Sequence, residues 1–414
     1  MKSYNTLFLL MVCCFSAFGQ SDELQKRIPG RKNKTESYKK PYIVIISADG
    51  FRYDYAEKYQ AKNLLRLAAS GVKAESMIPA FPTVTRPNHF AIMSGLHPAH
   101  SGITGNGFYD GNKKAVWVDS DPSFMKTEPI WVTLEKQDIL TASIFWPNAI
   151  IPIQGILPTY NYNRPIKGVP APSMKDRIAA LKDWLAMPDE TRPHFISIYL
   201  GATDHEGHRH GPASAEVIEA IHAADDIVGK LDEVAKASGL PVNFLFVSDH
   251  GMSAVDPTPV TFPALAADTS KFIVFRAGGL VNVYAKNPAD ILPTYNAIKA
   301  IQQNDYDVYL KKDAPADWHY GTKDDRYNRV GDIMLMTRYP KVFGPRKPQA
   351  GTHGFLPSQK EMHSAFYAWG PAFKPGIKIP SFENLEVYEL MTKILGIKAL
   401  PNDGKGKLAK QILK

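Results

Sequence analysis

FPTVTRPNHFAIMSGLHPAHSGITGN, Phe81 to Asn106, is the stretch on which the reading of the chain turns. It sets a hydroxyl, a loop-to-helix turn and a polar amide in close succession. Pro87 suits the first turn of a helix, where a missing N–H costs little, so Thr85 is expected at or near the helix N-terminus. Free backbone N–H groups and the positive end of the helix dipole favour an anion there, phosphate or sulfate included. A threonine two residues before a proline is more often a plain cap. A reactive role for Thr85 therefore depends on what the rest of the chain delivers to the same place.

Three apolar runs answer that question. Tyr42 to Ser47 (YIVIIS) has the length and uniform apolarity of a strand buried on both faces of a parallel sheet, and it ends in Ala48-Asp49-Gly50. His194 to Leu200 is followed by Asp204-His205-Glu206-Gly207-His208-Arg209-His210, expected as a loop, and Val242 to Ser248 by Asp249-His250-Gly251. Open α/β sheets bind ligands at the carboxyl ends of their strands, so acids and imidazoles from separate strands are expected at one edge. Asp204 and His208 are four residues apart, and one helical turn puts both on the same side of a metal. His205 and His210 lack that relation to Asp204 and read as flanking residues.

Between these runs, Tyr55–Gly71, Ile130–Lys136 and Ala213–Ser238 read as helices, and Thr141–Trp146 as a short strand. The proline-rich loop Ile151–Asn163 presents Tyr160 as a candidate substrate contact. From about 256 to 345 the pattern changes to short strand-like runs around a helical Pro293–Gln303, expected as an inserted small α+β subdomain. The chain then returns through Gly351-Thr352-His353-Gly354, a strand to Trp369 and a helix from Asn384 to Leu395. The expected fold class is α/β, with a mostly parallel central sheet and helices on both faces.

At 414 residues the chain exceeds the usual single-domain size. Its formal charge of +8 is concentrated: Lys26 to Lys40 holds seven cations against Glu36 alone. That pattern reads as a solvated basic linker, residues 21–40, ahead of a nearly neutral body at 41–414, and no duplex-binding face is expected. Residues 1–20 combine Lys2, an apolar run from Leu7 to Phe18 and small residues at Ala17 and Gly19. They read as an export signal too short for a membrane anchor, which places the product in the periplasm or outside the cell. Cys13 and Cys14, the two cysteines of the chain, lie within it, so a mature chain would be thiol-free. The sequence leaves the oligomeric state open.

The candidate ligands are Asp49, Asp204, Asp249, His208, His250 and His353, around the hydroxyl of Thr85. Mixed Asp/His ligation suits zinc or a similar ion, and these residues divide into two three-ligand sites, each with an open position. Two dications balance three carboxylates and one alkoxide. A hydroxyl beside such ions has a lowered pKa, so a threonine becomes a nucleophile without a separate general base.

These residues resemble a family, the nucleotide pyrophosphatase/phosphodiesterases of the alkaline phosphatase superfamily. The resemblance is carried by Asp49-Gly50-Phe51-Arg52, Pro82-Thr83-Val84-Thr85 with Pro87-Asn88-His89, Ser101-Gly102-Ile103 with Asn106, Asp204-x-x-Gly207-His208 with Gly211-Pro212, Ser248-Asp249-His250-Gly251 and His353-Gly354. It covers roughly Tyr42 to Leu395. It implies an alkaline-phosphatase-like three-layer sandwich with two Zn2+ ions, one held by Asp204, His208 and His353, the other by Asp49, Asp249 and His250 together with Thr85. It also implies attack by Thr85 on phosphorus, a phosphothreonine intermediate and its hydrolysis, with Asn106 and the backbone N–H after the nucleophile binding a phosphoryl oxygen. The family's aromatic after the threonine is replaced here by Arg86, which attracts a second phosphate or stacks through its guanidinium plane. Phe145-Trp146-Pro147 keeps nucleotide diesters and pyrophosphates as the first expectation. A phosphomonoesterase, a phosphonate hydrolase or a non-catalytic binder of phosphorylated ligands stands behind it.

Overall fold

The computed structural model describes residues 25–118, 121–162, 172–302 and 304–414. The expected export signal with Cys13 and Cys14, as well as Asn163 and Gln303, lies outside them. The architecture is a three-layer α/β sandwich around a nine-stranded sheet. At its centre Tyr42–Ala48 pairs in parallel with Phe195–Leu200 on one side and Val242–Val247 on the other. Thr141–Ile144 and Tyr160–Tyr162 continue the parallel set beyond Phe195–Leu200. On the opposite side Phe366–Trp369 runs antiparallel, followed by Val72–Ala74 and Ile377–Ile379.

All seven residues of Tyr42–Ala48 are buried because both sheet faces are covered. Ile43 and Ile45 point into a core shared with Phe90, Trp131 and Leu390, from the helices Thr85–Ser94, Ile130–Glu135 and Glu386–Leu395. Val44 and Ile46 point the other way, onto Leu64, Leu181 and Ile227 from Lys62–Ala69, Met174–Ala186 and Ala215–Ser238. A strand without a solvent face has no reason to alternate polar and apolar residues, which is why the run reads as continuous.

The body departs from the sequence expectations in three places. The stretch Tyr55–Gly71 is two helices, Tyr55–Lys58 and Lys62–Ala69, with Gln60 between them in a left-handed conformation. The expected loop at 204–210 is a helix, Ala202–His210. The described part of the basic linker is built into the fold. Gln25–Arg27 adds an antiparallel edge strand to Tyr160–Tyr162, and the buried amide of Asn33 donates to Asp189 O and Arg192 O while accepting from Leu140 N. Most cations of the run are exposed, as a solvated stretch implies, but two pair far along the chain: Lys32 with Glu190, and Arg31 with the buried Glu135 at 3.0 Å.

The segment expected as an insertion contains a four-stranded antiparallel sheet in the order Phe272–Ala277, Leu280–Ala285, Ile333–Thr337, Tyr306–Leu310. Val281, Val283, Ile333 and Leu335 pack under the helix Ile291–Ala300 through Ile298. Leu280, Met334 and Met336 face the other way, against Phe81 and Ala99 on the segment that carries Thr85. The alternation of period two thus gives this sheet one face for its own core and one for the body. Among the described residues no helix is long and apolar enough to cross a membrane.

Glu135 ties the edge of the sheet together. Its Oε1 accepts from Thr141 N, Thr141 Oγ1 and Thr159 N, and its Oε2 from Thr159 Oγ1 and Arg31. Glu135→Ala takes the carboxylate from the half-buried Arg31, which keeps only Leu157 O, and leaves the Thr141 and Thr159 donors unmatched, and is expected to destabilise the fold by roughly 2–4 kcal/mol in urea denaturation.

Candidate active site

The parallel strands end where the chemistry gathers. Asp49 follows Tyr42–Ala48, Asp249 and His250 follow Val242–Val247, and the helix Ala202–His210 after the third strand carries Asp204 and His208 one turn apart. His353 arrives on the segment after Gly351–Thr352, which pairs with Ser253–Ala254. Gly50, between the Asp49 strand and the site, has φ +67°, and a Cβ there would stand 3.0 Å from Asp204 Cα. Only glycine allows that turn and that approach together.

Thr85 opens the helix Thr85–Ser94 after an extended Val84. Asn88 fixes the entry to this turn: its side chain accepts from Ala80 N and donates to the carbonyls of Pro82 and Val84. Thr85 Oγ1 lies 3.3 Å from His250 Nε2. That nitrogen is in turn 3.0 Å from Asp249 Oδ2 and 3.4 Å from Asp49 Oδ1. Asp204 Oδ1 lies 3.3 Å from His208 Nε2 and 3.5 Å from His353 Nε2. The rings of His250 and His353 stack at 3.6 Å, so the Asp204 and Asp249 groups adjoin.

The imidazoles are oriented by one device. His208 Nδ1 donates to Gly351 O at 2.9 Å, His250 Nδ1 to Gly251 O at 2.8 Å and His353 Nδ1 to Thr83 O at 2.9 Å. A carbonyl only accepts, so each ring carries its proton on Nδ1 and turns the lone pair of Nε2 into the site, as a metal ligand must. His89 is also close, with Asp49 and Asp249. Its Nδ1 donates to Thr85 O at 2.9 Å and its Nε2 accepts from Ser47 Oγ at 2.8 Å, so both nitrogens are committed and it orients the backbone of Thr85 instead.

The carboxylates are prepared in the same way. Asp49 Oδ2 accepts from Tyr199 Oη at 2.6 Å, and Asp249 Oδ1 from Gly50 N at 3.3 Å. Asp49 Oδ1, Asp204 Oδ1 and Asp249 Oδ2 are buried without a hydrogen-bond donor. Burial, reinforced by Asp249 and Asp204, pushes the Asp49 carboxyl well up. Burial opposes ionisation of Asp249 too, but His250 and His89 outweigh it and hold that group below the usual carboxylate range. Burial and the neighbouring His250 bring His353 down to about 3, so it stays a neutral donor. Against burial, Asp204 raises the His208 imidazole and Asp249 that of His250, so these two rings, like the Asp49 carboxyl, are driven to hold protons; three carboxyls and three imidazoles crowded so closely form a site in which cations would take the place of those protons.

All six expected ligands therefore meet around Thr85. Asn106 Oδ1 accepts from Arg86 N at 2.9 Å. The backbone N–H after the nucleophile, expected to face a phosphoryl oxygen, is thus spent on orienting Asn106, whose Nδ2 is left as the donor. Tyr160 is not at the site. It is buried at the sheet edge, donating to Thr191 O at 2.9 Å and packing beside Trp184. The tyrosine that reaches the ligands is Tyr199, which sequence reading passed over as one more strand residue. Its signal was a polar-tipped aromatic just before the carboxyl end of a buried strand. His89 was passed over because its helix reads as core.

Residues 43–356 match the family described as type I phosphodiesterase/nucleotide pyrophosphatase. The chain belongs to that family. Among its relatives, a venom phosphodiesterase of Crotalus durissus collilineatus is 32% identical over 382 residues, covering 87% of this chain and 45% of the relative. Ectonucleotide pyrophosphatase/phosphodiesterase family member 1 of Mus musculus is 31% identical over 405 residues, covering 91% of this chain and 43% of the relative. This family member thus spans less than half the length of these curated relatives. Among solved structures, an inactive variant of murine ectonucleotide pyrophosphatase/phosphodiesterase 5 in complex with AMP superposes with a TM-score of 0.82 at 25% identity, covering 90% of this chain and 100% of that one.

Tyr199→Phe removes the donor that holds Asp49 in place. It is expected to weaken divalent-cation binding about 10- to 100-fold in a competition titration against a chromophoric chelator, with little change in the circular dichroism spectrum.

Proposed function

We propose that this family member is an exported hydrolase that cleaves phosphodiester or pyrophosphate bonds of nucleotides or related phosphoesters, with Thr85 as nucleophile. The observation that carries the reading is the set of three donor-less carboxylate oxygens and three Nδ1-pinned imidazoles around one hydroxyl. Family membership and the AMP complex of the murine neighbour support a nucleotide as the substrate class. Export rests on residues 1–20 alone.

Asp204, His208 and His353 would hold one Zn2+, and Asp49, Asp249 and His250 the other, beside Thr85. When bound, the ions supply the positive charge that favours ionised Thr85 and offsets an anionic phosphoryl group. The chain's own residues do the positioning. His89 and Asn88 fix the turn that aims Thr85 Oγ, and the bond from this oxygen to phosphorus forms as the bond to the leaving oxygen breaks, giving a phosphothreonine. The leaving oxygen departs with the electron pair. Asn106 Nδ2, its amide oriented by Arg86 N–H, donates to a phosphoryl oxygen as negative charge builds there. Arg86 contacts the rest of the substrate. Phosphomonoester cleavage on the same scaffold is the second reading, favoured by this cation next to the nucleophile.

Activity of the purified protein against nucleoside triphosphates, dinucleotides, a nitrophenyl monoester and a nitrophenyl nucleotide diester, with and without a chelator, tests the proposal. Diesters and pyrophosphates are expected to lead, and activity is expected to vanish with the ions. A faster monoester would instead select the second reading. Thr85→Ala is expected to cut turnover about a thousandfold or more while retaining its zinc by elemental analysis. Near-wild-type turnover in that variant would remove Thr85 from the mechanism.

A further inference from the structure

Asn106 is exposed in the stretch Gly102-Ile103-Thr104-Gly105-Asn106-Gly107, which follows the helix Pro98–Ser101. Half of these six residues are glycine, so the stretch has little stiffness of its own. A donor aimed at a phosphoryl oxygen works only at a set distance and angle, so the backbone beneath Asn106 has to be held from elsewhere.

The holding groups come from the inserted segment. Tyr320 Oη donates to Thr104 O at 2.5 Å, and Arg329 Nη1 donates to Gly102 O at 2.8 Å. In return Thr104 Oγ1 donates to Arg329 O at 3.0 Å, a carbonyl that also accepts from Tyr284 Oη at 2.8 Å. Tyr320 and Arg329 are both 0% exposed. The guanidinium is fixed in its turn by Asp110 Oδ2, 2.9 Å from Nε, and lies 5.1 Å from the ring centroid of Phe108. Phe275, from Phe272–Ala277, stands against the stretch as well: a Cβ on Gly107 would lie 2.8 Å from its ring. The insertion thus meets the chain on both sides of Asn106.

The Tyr320 hydroxyl is committed as a donor. Asn282 Nδ2 lies 3.4 Å from it as a donor of its own, so the phenol proton goes to Thr104 O, and burial pushes the phenol up, away from ionisation. Packing alone would be met by apolar contacts. Burying a hydroxyl and a guanidinium is costly unless their partners are exact, and here both are directed at carbonyls within four residues of Asn106.

Building on the phosphoester reading, we propose that the insertion is part of the catalytic apparatus, with Tyr320 and Arg329 as positioning residues that clamp the stretch from 102 to 107 so that Asn106 Nδ2 meets the phosphoryl oxygen. Neither touches the substrate, and both act through Asn106.

The test is a double-mutant cycle on turnover of a nitrophenyl nucleotide diester. Tyr320→Phe and Thr104→Val each delete one donor of the clamp while nearly keeping its shape, and their folding is checked by melting curve. Each alone is expected to lower kcat about tenfold with KM changed less than about twofold, because the misaligned donor acts as charge builds in the transition state. Asn106→Ala alone is expected to cost about a hundredfold, and either substitution added to it less than about twofold more. Calorimetric affinity for orthovanadate, a mimic of five-coordinate phosphorus, is expected to fall in the same pattern across the cycle. Losses that are equal with and without Asn106, in turnover or in vanadate affinity, make the two residues structural only and overturn the clamp, as does full kcat in both single variants. A wild-type protein without phosphoesterase activity would instead overturn the reading on which the clamp rests. Undiminished turnover in Asn106→Ala would remove Asn106, and the clamp with it, while leaving the rest of that reading intact.

Discussion

Three carboxylates converge at the carboxyl edge of the sheet in a space with little water, and the rest of the molecule is arranged to tolerate that convergence. Asp49 and Asp249 are 1% and 0% exposed. Withdrawing an ion from water costs several kcal/mol, and like charges add to it. Left to themselves, such groups would protonate, swell the site or swing outward. They are instead prevented from leaving: Tyr199 holds one oxygen of Asp49, the Gly50 amide one oxygen of Asp249, and the Gly50 turn packs directly against Asp204. The stress is held in the sheet and its loops, and its relief is left to cations.

The same logic accounts for the conservative treatment of Thr85, the proposed nucleophile. The imidazole within reach of the Thr85 hydroxyl, His250 at 3.3 Å, is one of the expected metal ligands and faces Asp249 as well, so it is not reserved for that hydroxyl. Effort goes into its position, through the Asn88 brace and the contact of His89 with its carbonyl. Positional constraint of this kind stores what the reaction would otherwise lose in orientation.

Most of this was legible in the sequence where the signal is local. A strand buried on both faces announces itself by uniform apolarity, and the acid that ends it by chain position, so the gathering of Asp49, Asp249 and the Asp204–His208 turn at one sheet edge was expected. What was missed depends on distant partners. Tyr199 looks like strand until its hydroxyl is seen on Asp49. Asn106 was identified, but the donor expected to work with it, Arg86 N–H, proved to be its anchor. That Arg31 and Lys32 tie the basic stretch to the fold was not visible, because pairing with Glu135 or Glu190, more than a hundred residues away, leaves no trace in a local window. Tyr160 was misplaced for the opposite reason: an aromatic in a proline-rich loop resembles a pocket residue, while a strand pairing through residues 25–27 buries it.

The four-stranded sheet of the insertion carries two unequal faces, and its inner face rests on Phe81 and Ala99, at either side of the nucleophile turn. Across a set of diverging homologues the outer layer, beneath Ile291–Ala300, would be free to drift as long as its own core stays filled. Leu280, Met334 and Met336 would not, because they form the floor on which the segment carrying Thr85 is seated. Variation in this appendage should thus be lopsided, loose toward solvent and tight toward the catalytic body.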